Sequence, residues 1–307
     1  MNNEASKILL VGDNPFHGIS HLSQERARSR SKALDSTEGK ADVVLAALES
    51  GADGFMFSVS DTTLSILRIM RERKSISGVK LYPIIPYAFE YVRVATQMGT
   101  PGLANRFVKQ IAFSGDVRAL FGGFAAVLKM SPTGLVNTYL SYEISRIKSA
   151  VGSRKNLASI FLHEVITDMG LALNLEWLFG AYMSFLFRRG IMPGFHTRNF
   201  PYLVKKFNEW GIDLDSIMIT TPFNKVGFQM NPSREECEKA LSNISSPNVL
   251  AISVLASGYL NLYEALDYIS CLDNVKGVVA GVSTEQQARE TFGLFKEQLS
   301  TRLNNHS

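Results

Sequence analysis

Eight short runs of β-type residues, each followed by a stretch with helical periodicity, constrain this chain more than any other feature. The runs are KILLVG (7–12), GFMFSV (54–59), KLYPIIPY (80–87), LASIFLHE (157–164), MPGFHT (192–197), SIMITTPF (216–223), NVLAISVLA (248–256) and VKGVVAGV (275–282). Between them, segments such as GKADVVLAALESGA, TTLSILRIMRERKS, NFPYLVKKFNEWG, SREECEKALSNIS and TEQQARETFGLFKEQLSTRL repeat apolar residues at three and four. That spacing gives a helix one apolar face. Strand and helix in alternation imply parallel strands joined by crossover helices. Eight such units in 307 residues fit a closed (β/α)8 TIM barrel, usually about 250 residues plus insertions. An open doubly wound sheet is the alternative, and it normally carries a glycine-rich turn after its first strand. The turn here, VGDNPFHG, lacks that fingerprint. The expectation is one barrel domain spanning residues 1–307.

The extra length is localised between the third and fourth strand runs. Helical patterns around 89–98, 103–113, 117–130 and 134–151 fill that interval, where one crossover helix would suffice. Residues 89–152 therefore read as a helical insertion, either a subdomain over the barrel mouth or a structural or oligomerisation element. With 32 basic and 28 acidic side chains interspersed along the chain and a net charge of +4, a dedicated nucleic-acid surface is not expected. Cys237 and Cys271 have no spacing that suggests a disulfide or metal pair, which fits a reducing, cytoplasmic setting. The start, MNNEASK, is polar and shows no secretory signal pattern. The most apolar stretch, LALNLEWLFGAYMSFLFRRG (171–190), is interrupted by Asn174 and Glu176. It falls short of a membrane span of ~20 apolar residues and reads as a buried helix or one packed on a partner subunit of a homo-oligomer.

In a barrel of this kind, functional residues collect where the strands end. After the first run come Asp13, Asn14, His17 and His21; after the second, Ser58, Ser60 and Asp61. The third ends at Tyr87, the fourth at His163 and Glu164, the fifth at His196, Thr197, Arg198 and Asn199, and the sixth at Thr220, Thr221, Asn224 and Lys225. Four of the five histidines thus fall at strand tops, His306 being the exception. Any one of them taken alone reads as an ordinary core or surface histidine. Asp13, His17, Tyr87 and His163 are the catalytic candidates.

From about 157 to 300 the sequence resembles the aldo/keto reductase superfamily. SIFLHEV is similar to that family's fourth-strand segment, which ends in an active-site histidine. PGFHTRNFPYLVKKFNEWGIDLDSIMITTPFN resembles its fifth unit and sixth strand, ISVLASGYL its seventh-strand segment and VKGVVAGVSTEQQARETF its eighth-strand turn. The resemblance implies a (β/α)8 fold and NAD(P)H as cofactor, bound against Thr197, Asn224, Ser257, Gly258, Gly281, Ser283 and Thr284. Independently of any family, Gly281 to Thr284 lead into a helix, where backbone N–H groups favour an anion. The same STEQQ stretch also reads as a simple helix cap.

The first half departs from that family. Its Asp and Tyr around the second strand and its Lys on the third, the pair that tunes the phenol, have no match in GFMFSVSDTTL or KLYPIIPY. Either the chemistry differs, or Tyr87 with a displaced cation such as Lys225 takes the acid role. His17, His163 and His196 converging on the mouth, with Asp13 or Glu164 beside them, would suit a divalent metal. The run ERARSRSK, with Arg26, Arg28, Arg30 and Lys32, offers cations for an anionic small-molecule substrate or is a solvated loop. Two function classes follow: an NAD(P)(H) oxidoreductase with a rebuilt catalytic set, and a metal-assisted or cofactor-independent lyase, isomerase or hydrolase. A non-catalytic binding protein is a third.

Overall fold

A computed structural model describes residues 7–17, 34–86, 132–153, 156–244 and 248–301. The eight strands are β1 (Ile8–Gly12), β2 (Gly54–Ser58), β3 (Lys80–Ile85), β4 (Ser159–Leu162), β5 (Met192–His196), β6 (Met218–Pro222), β7 (Val249–Ile252) and β8 (Val275–Gly281). All neighbouring pairs are parallel, and β8 returns to β1 to close the barrel in sequence order. The expected (β/α)8 barrel is the fold observed. The helices are α1 (Thr37–Glu49), α2 (Asp61–Glu72), α3 (Pro132–Val151), α4 (Glu164–Ala172), α5 (Glu176–Phe187), α6 (Phe200–Glu209), α7 (Arg234–Ser242), α8 (Leu262–Ser270) and α9 (Glu285–Thr301).

Strands in a parallel barrel are buried on both faces, and the two-residue period sorts their side chains into two cores. Leu9, Val11, Phe55, Phe57, Ile160 and Phe195 point outward and pack under the helices. Leu10, Met56, Tyr82, Phe161, Met218, Leu250 and Val279 form a separate cluster inside the barrel. The interior is narrow, so bulk on one strand requires its absence on the next. Phe161 pairs in register with Gly194, and a Cβ added to Gly194 would stand 2.5 Å from the Phe161 ring. Gly277 likewise leaves room for Leu250 and the Ile8 carbonyl.

Of the helices expected between β3 and β4, only the last falls among the described residues, as α3. It is tied to α2 by charge: Arg146 lies 3.2 Å from Glu143 and 3.0 Å from Asp61 at the first turn of α2. Tyr139 donates to Glu143 at 2.8 Å. Arg146 and Glu143 are buried, and each keeps a further polar partner, Asp61 for Arg146 and Tyr139 for Glu143. The apolar stretch 171–190 holds the last two residues of α4 and then the whole of α5. Asn174 takes a left-handed φ of 55°, a conformation Asn tolerates better than most residues, and the chain turns there from α4 into α5. Phe179, Tyr182, Phe185 and Leu186 are buried while Trp177 and Phe187 are exposed, so α5 is buried on one face only. Among the described residues, no helix is long and apolar enough to cross a membrane.

Gly194→Ala tests the interior packing. The added methyl meets Phe161 with no free space to take it, and overpacking of this kind should lower unfolding free energy by about 1–3 kcal/mol, read from the midpoint of urea denaturation. An unchanged midpoint would show that the barrel interior is looser than this register implies.

Candidate functional site

The two-residue period that places Leu10, Met56, Met218, Leu250 and Val279 inside the barrel also places Gly12, Ser58, Thr220, Ile252 and Gly281 two residues further along, at the C-terminal mouth. His196 stands in the same relation to Gly194. These residues, without Ser58, line a cleft of about 290 Å³ together with Asp13, Asn14, Pro15, Phe228, the loop after β7 and Gln287.

On the β1 side, the chain leaves the strand in a tight turn (Asn14–His17) closed by Phe16 N–H donating to the Asp13 carbonyl at 2.8 Å. The turn carries His17 back over Asp13, whose Oδ2 lies 2.8 Å from His17 Nε2. The same oxygen accepts from Ser58 N–H at 2.7 Å, so a carboxylate 3% exposed bridges the ends of β1 and β2. Asp13 lines the cleft, but His17 does not.

A second polar cluster sits at the ends of β4 and β5. His163 caps α4: its Nδ1 accepts from Val165 N–H at 3.2 Å, which fixes the proton of the neutral ring on Nε2. Burial holds its pKa below the ordinary value, against the pull of Glu164, and Arg198 lowers it further. Glu164 reaches between His196 (Nε2 to Oε2, 3.0 Å) and Arg198 (2.5 Å). Burial alone would raise the Glu164 carboxyl, but His196 and Arg198 outweigh it and bring the pKa below the usual range. For His196, burial is again the largest cause and carries the imidazole down to about 4. At neutral pH the pair is therefore carboxylate and neutral imidazole. Among the described residues, Nδ1 of His196 has no hydrogen-bond partner, and Nε2 has only this 3.0 Å contact with Glu164, which is not a hydrogen bond. The His163 and His196 rings are 6.2 Å apart, and of the two only His196 lines the cleft.

The loop after β7 forms the facing wall. Ser253 (φ 54°), Ala256 (φ 44°) and Ser257 (φ 63°) all adopt the left-handed conformation, followed by Gly258 at φ 90°. Each such non-glycine residue carries a steric cost of order 1–2 kcal/mol, and strain of this sort gathers at ligand-binding segments. Ser253, Ser257, Gly258 and Gly281 all line the cleft. Gly281 packs closely on the opening turn: a Cβ there would be 3.0 Å from Pro15 Cδ.

Other expected contacts are absent from the cleft. Thr197, fully buried, donates to Asp168 Oδ1 at 2.5 Å, and Asp168 also accepts from Arg198 N–H. Burial leaves the Asp168 carboxyl above its ordinary pKa despite those two hydrogen bonds. Asn224 exchanges two hydrogen bonds with the Phe228 backbone, at 2.7 and 2.9 Å, and so braces the loop after β6. Thr284 caps α9 by accepting from Gln287 N–H, while Gln287 Oε1 accepts from Ser283 N–H. The helix start expected to face an anion is thus already partly satisfied by protein, and Gln287 rather than Ser283 or Thr284 reaches the cleft. The metal set does not assemble: among the described residues, no three His, Cys, Asp or Glu side chains are grouped to hold an ion. Tyr87, His21, the run from Arg26 to Lys32, and His306 lie outside the described residues.

Sequence reasoning missed Ser253, Phe228, Gln287 and Asp168. Only Asp168 carried a signal, one helical turn beyond Glu164 on α4 and so on the same face. Serine is not a residue that announces a left-handed backbone, so Ser253 and Ser257 carried none.

Neither a family model nor a curated protein matches the sequence. Among solved structures, a candidate aldo-keto reductase from Pseudomonas aeruginosa is similar at 10% identity and TM-score 0.57, over 97% of this chain and 93% of that one. A candidate sugar phosphate isomerase/epimerase from Anabaena variabilis aligns at 8% identity and TM-score 0.48, over 97% and 99%. The glycerol dehydrogenase AKR11B4 from Gluconobacter oxydans aligns at 10% identity and TM-score 0.46, over 100% and 97%. At 10% identity the first of these likenesses shows the fold alone.

The depressed His196 pKa has a consequence for stability. The unfolded chain takes up this proton near pH 6.5 and the folded one only near 4. Stability is therefore unaffected above about pH 6.5 and falls between there and about pH 4, by roughly 3 kcal/mol in all. His196→Gln removes this contribution. Denaturation at about pH 7.5 and about pH 4.5 should show a smaller acid loss in the variant than in the parent; equal losses would mean the imidazole titrates normally in the fold.

Proposed function

We propose that this chain is an NAD(P)(H)-linked oxidoreductase that interconverts a carbonyl and an alcohol on a small polar compound bound in the cleft. The observation that carries this reading is the wall made by Ser253 to Gly258 beside Gly281. It is built largely of backbone, held in a strained conformation, and side-chain-free at Gly258 and Gly281. The Ala256 and Gly258 N–H groups close the turn onto the Ser253 and Leu255 carbonyls at 2.8 Å, and the close approach open at Gly258 and Gly281 beside the Ser257 hydroxyl suits a phosphate group. The wall also lies in the two segments whose sequences resemble the reductases' cofactor turns. Ser257, Gly258 and Gly281 are the residues that would hold the cofactor's phosphates. Thr197 and Asn224 do not fit as contacts, because their polar atoms are hydrogen-bonded to the protein. When bound, NAD(P)H supplies the hydride.

The protein's own part is to orient the carbonyl and manage a proton. Asp13 stands at the cleft wall with His17 behind it, 2.8 Å away, so a proton on the substrate oxygen has a carboxylate to exchange with and an imidazole to pass to. This replaces the Tyr–Lys pair that the sequence lacks. A second reading, a cofactor-independent isomerase working by proton transfer, draws on a different observation. Among the described residues, the ionisable ones lining the cleft are Asp13 and His196, two acid–base groups at the ends of different strands.

Titration of NADH and NADPH against protein fluorescence separates the two readings. Binding in the micromolar to millimolar range is expected, and no binding at millimolar cofactor favours the isomerase. Once turnover is in hand, Asp13→Asn should lower kcat/KM ~10²-fold or more, the usual scale for a positioned proton-transfer group. His163→Gln should cost less, because His163 caps α4 and does not line the cleft. The reverse ranking would move the proton donor to His163.

A further inference from the structure

Thr220 and His196 are register partners on adjacent strands, both turned into the barrel below the cleft and both among its lining residues. Thr220 is 0% exposed, and among the described residues its Oγ1 has no hydrogen-bond partner; nor does Nδ1 of His196, whose side chain is 14% exposed and whose Nε2 faces Glu164 at 3.0 Å. Buried polar atoms in native proteins are nearly always satisfied, so adjacent orphans in one cleft call for a partner that the protein does not provide. We infer that His196 and Thr220 form the floor of the substrate site and bind a hydroxyl group of a neutral polyhydroxy or hydroxycarbonyl compound.

The chemistry of the lining defines the ligand. Carboxylate Glu164 lies on the Nε2 side of His196, which favours the proton on Nε2 and leaves Nδ1 as an acceptor. A ligand must therefore bring a donor hydrogen to Nδ1, while the Thr220 hydroxyl both donates and accepts. A hydroxyl group meets both demands. An anionic end suits the lining less well: among the described residues, that lining includes the Asp13 carboxylate and no Lys or Arg. Arg198 is turned onto Glu164 at 2.5 Å. Apolar Met56, Ile84, Ile252 and Val279 complete the lining around the floor and suit the carbon skeleton of such a compound. The inference rests on the cleft being the substrate site and holds for either reading of the reaction.

Thr220→Val tests it, because valine keeps the shape and removes only the hydroxyl. In the free protein the melting temperature should stay level or rise, since an unsatisfied buried hydroxyl is removed. Binding is measured by calorimetry with glycerol, xylitol and D-xylose, beside glycerate and xylonate as anionic counterparts. At least one neutral probe should bind in the millimolar range and more tightly than its carboxylate counterpart. Thr220→Val should weaken it roughly 2- to 10-fold, the range of one hydrogen bond, and Thr220→Ser should keep it. Three results each overturn the proposal: no neutral probe binding, carboxylates binding more tightly, or Thr220→Val leaving affinity unchanged. NADH and NADPH form the separate arm. Loss of their binding in Thr220→Val, with the polyols unaffected, would assign the floor to the cofactor and overturn the substrate claim alone; failure of cofactor binding in the parent protein overturns the oxidoreductase reading and leaves the floor test standing.

Discussion

Closing eight parallel strands into a barrel forces every strand residue to choose between an interior a few side chains wide and the layer beneath the helices. The choice alternates residue by residue, and Phe161 against Gly194 shows how little tolerance it has: the ring occupies the space that a methyl on the next strand would need. A slip of one residue in β5 would bring Phe195 inward against Phe161 and turn His196 out under the helices. The packing that stabilises the barrel axis is therefore what aims the imidazole at the cleft. In this sense the site is a continuation of the core, two residues further up the same strands.

The electrostatics at the mouth follow from burial more than from net charge. Glu164 remains ionised at depth because the Arg198 guanidinium lies 2.5 Å away. The same burial strips His196 of its proton across the neutral range. The outcome is a fixed carboxylate, a neutral imidazole beside it, and a second fixed carboxylate, Asp13, held by Ser58 N–H and His17 on another part of the rim. Among the described residues, the cleft lining carries the Asp13 carboxylate and the His196 imidazole and no Lys or Arg.

The fold was legible because its signal is repetitive. All eight strands stand within the runs read from β-type composition, and the long helices follow the three-and-four spacing. The errors fall where a local backbone conformation decides the matter. The stretch 171–190 looks like one helix by hydropathy, yet Asn174 turns left-handed and divides it. The run NVLAISVLA looks like one strand, but β7 ends at Ile252, and Ser253 begins a series of left-handed residues that no sequence pattern marks. The Asp13–His17 contact was legible only as a candidate: the four-residue spacing allows it, and the tight turn after β1 makes it.

The assignment of site residues by resemblance illustrates why position along a strand end is not enough. Thr197 follows His196 by one residue, so the two point to opposite sides of the sheet. Thr197 goes to Asp168 on α4, and His196 goes to the cleft. Thr221 and Thr220 stand in the same relation, and again the inward member lines the cleft. Asn224, beyond the end of β6, is free of that alternation, and the Phe228 backbone claims both ends of its amide. The cleft floor thus belongs to the inward residues of β5 and β6, His196 and Thr220, whereas of the residues that match the reductase pattern Thr197 and Asn224 are structural ties around it and Ser257, Gly258 and Gly281 line its wall. The turns after β7 and β8 can vary separately from the ends of β1, β5 and β6. In a closed barrel these are separate strands meeting at one mouth, and each can change its top residue without disturbing the packing beneath.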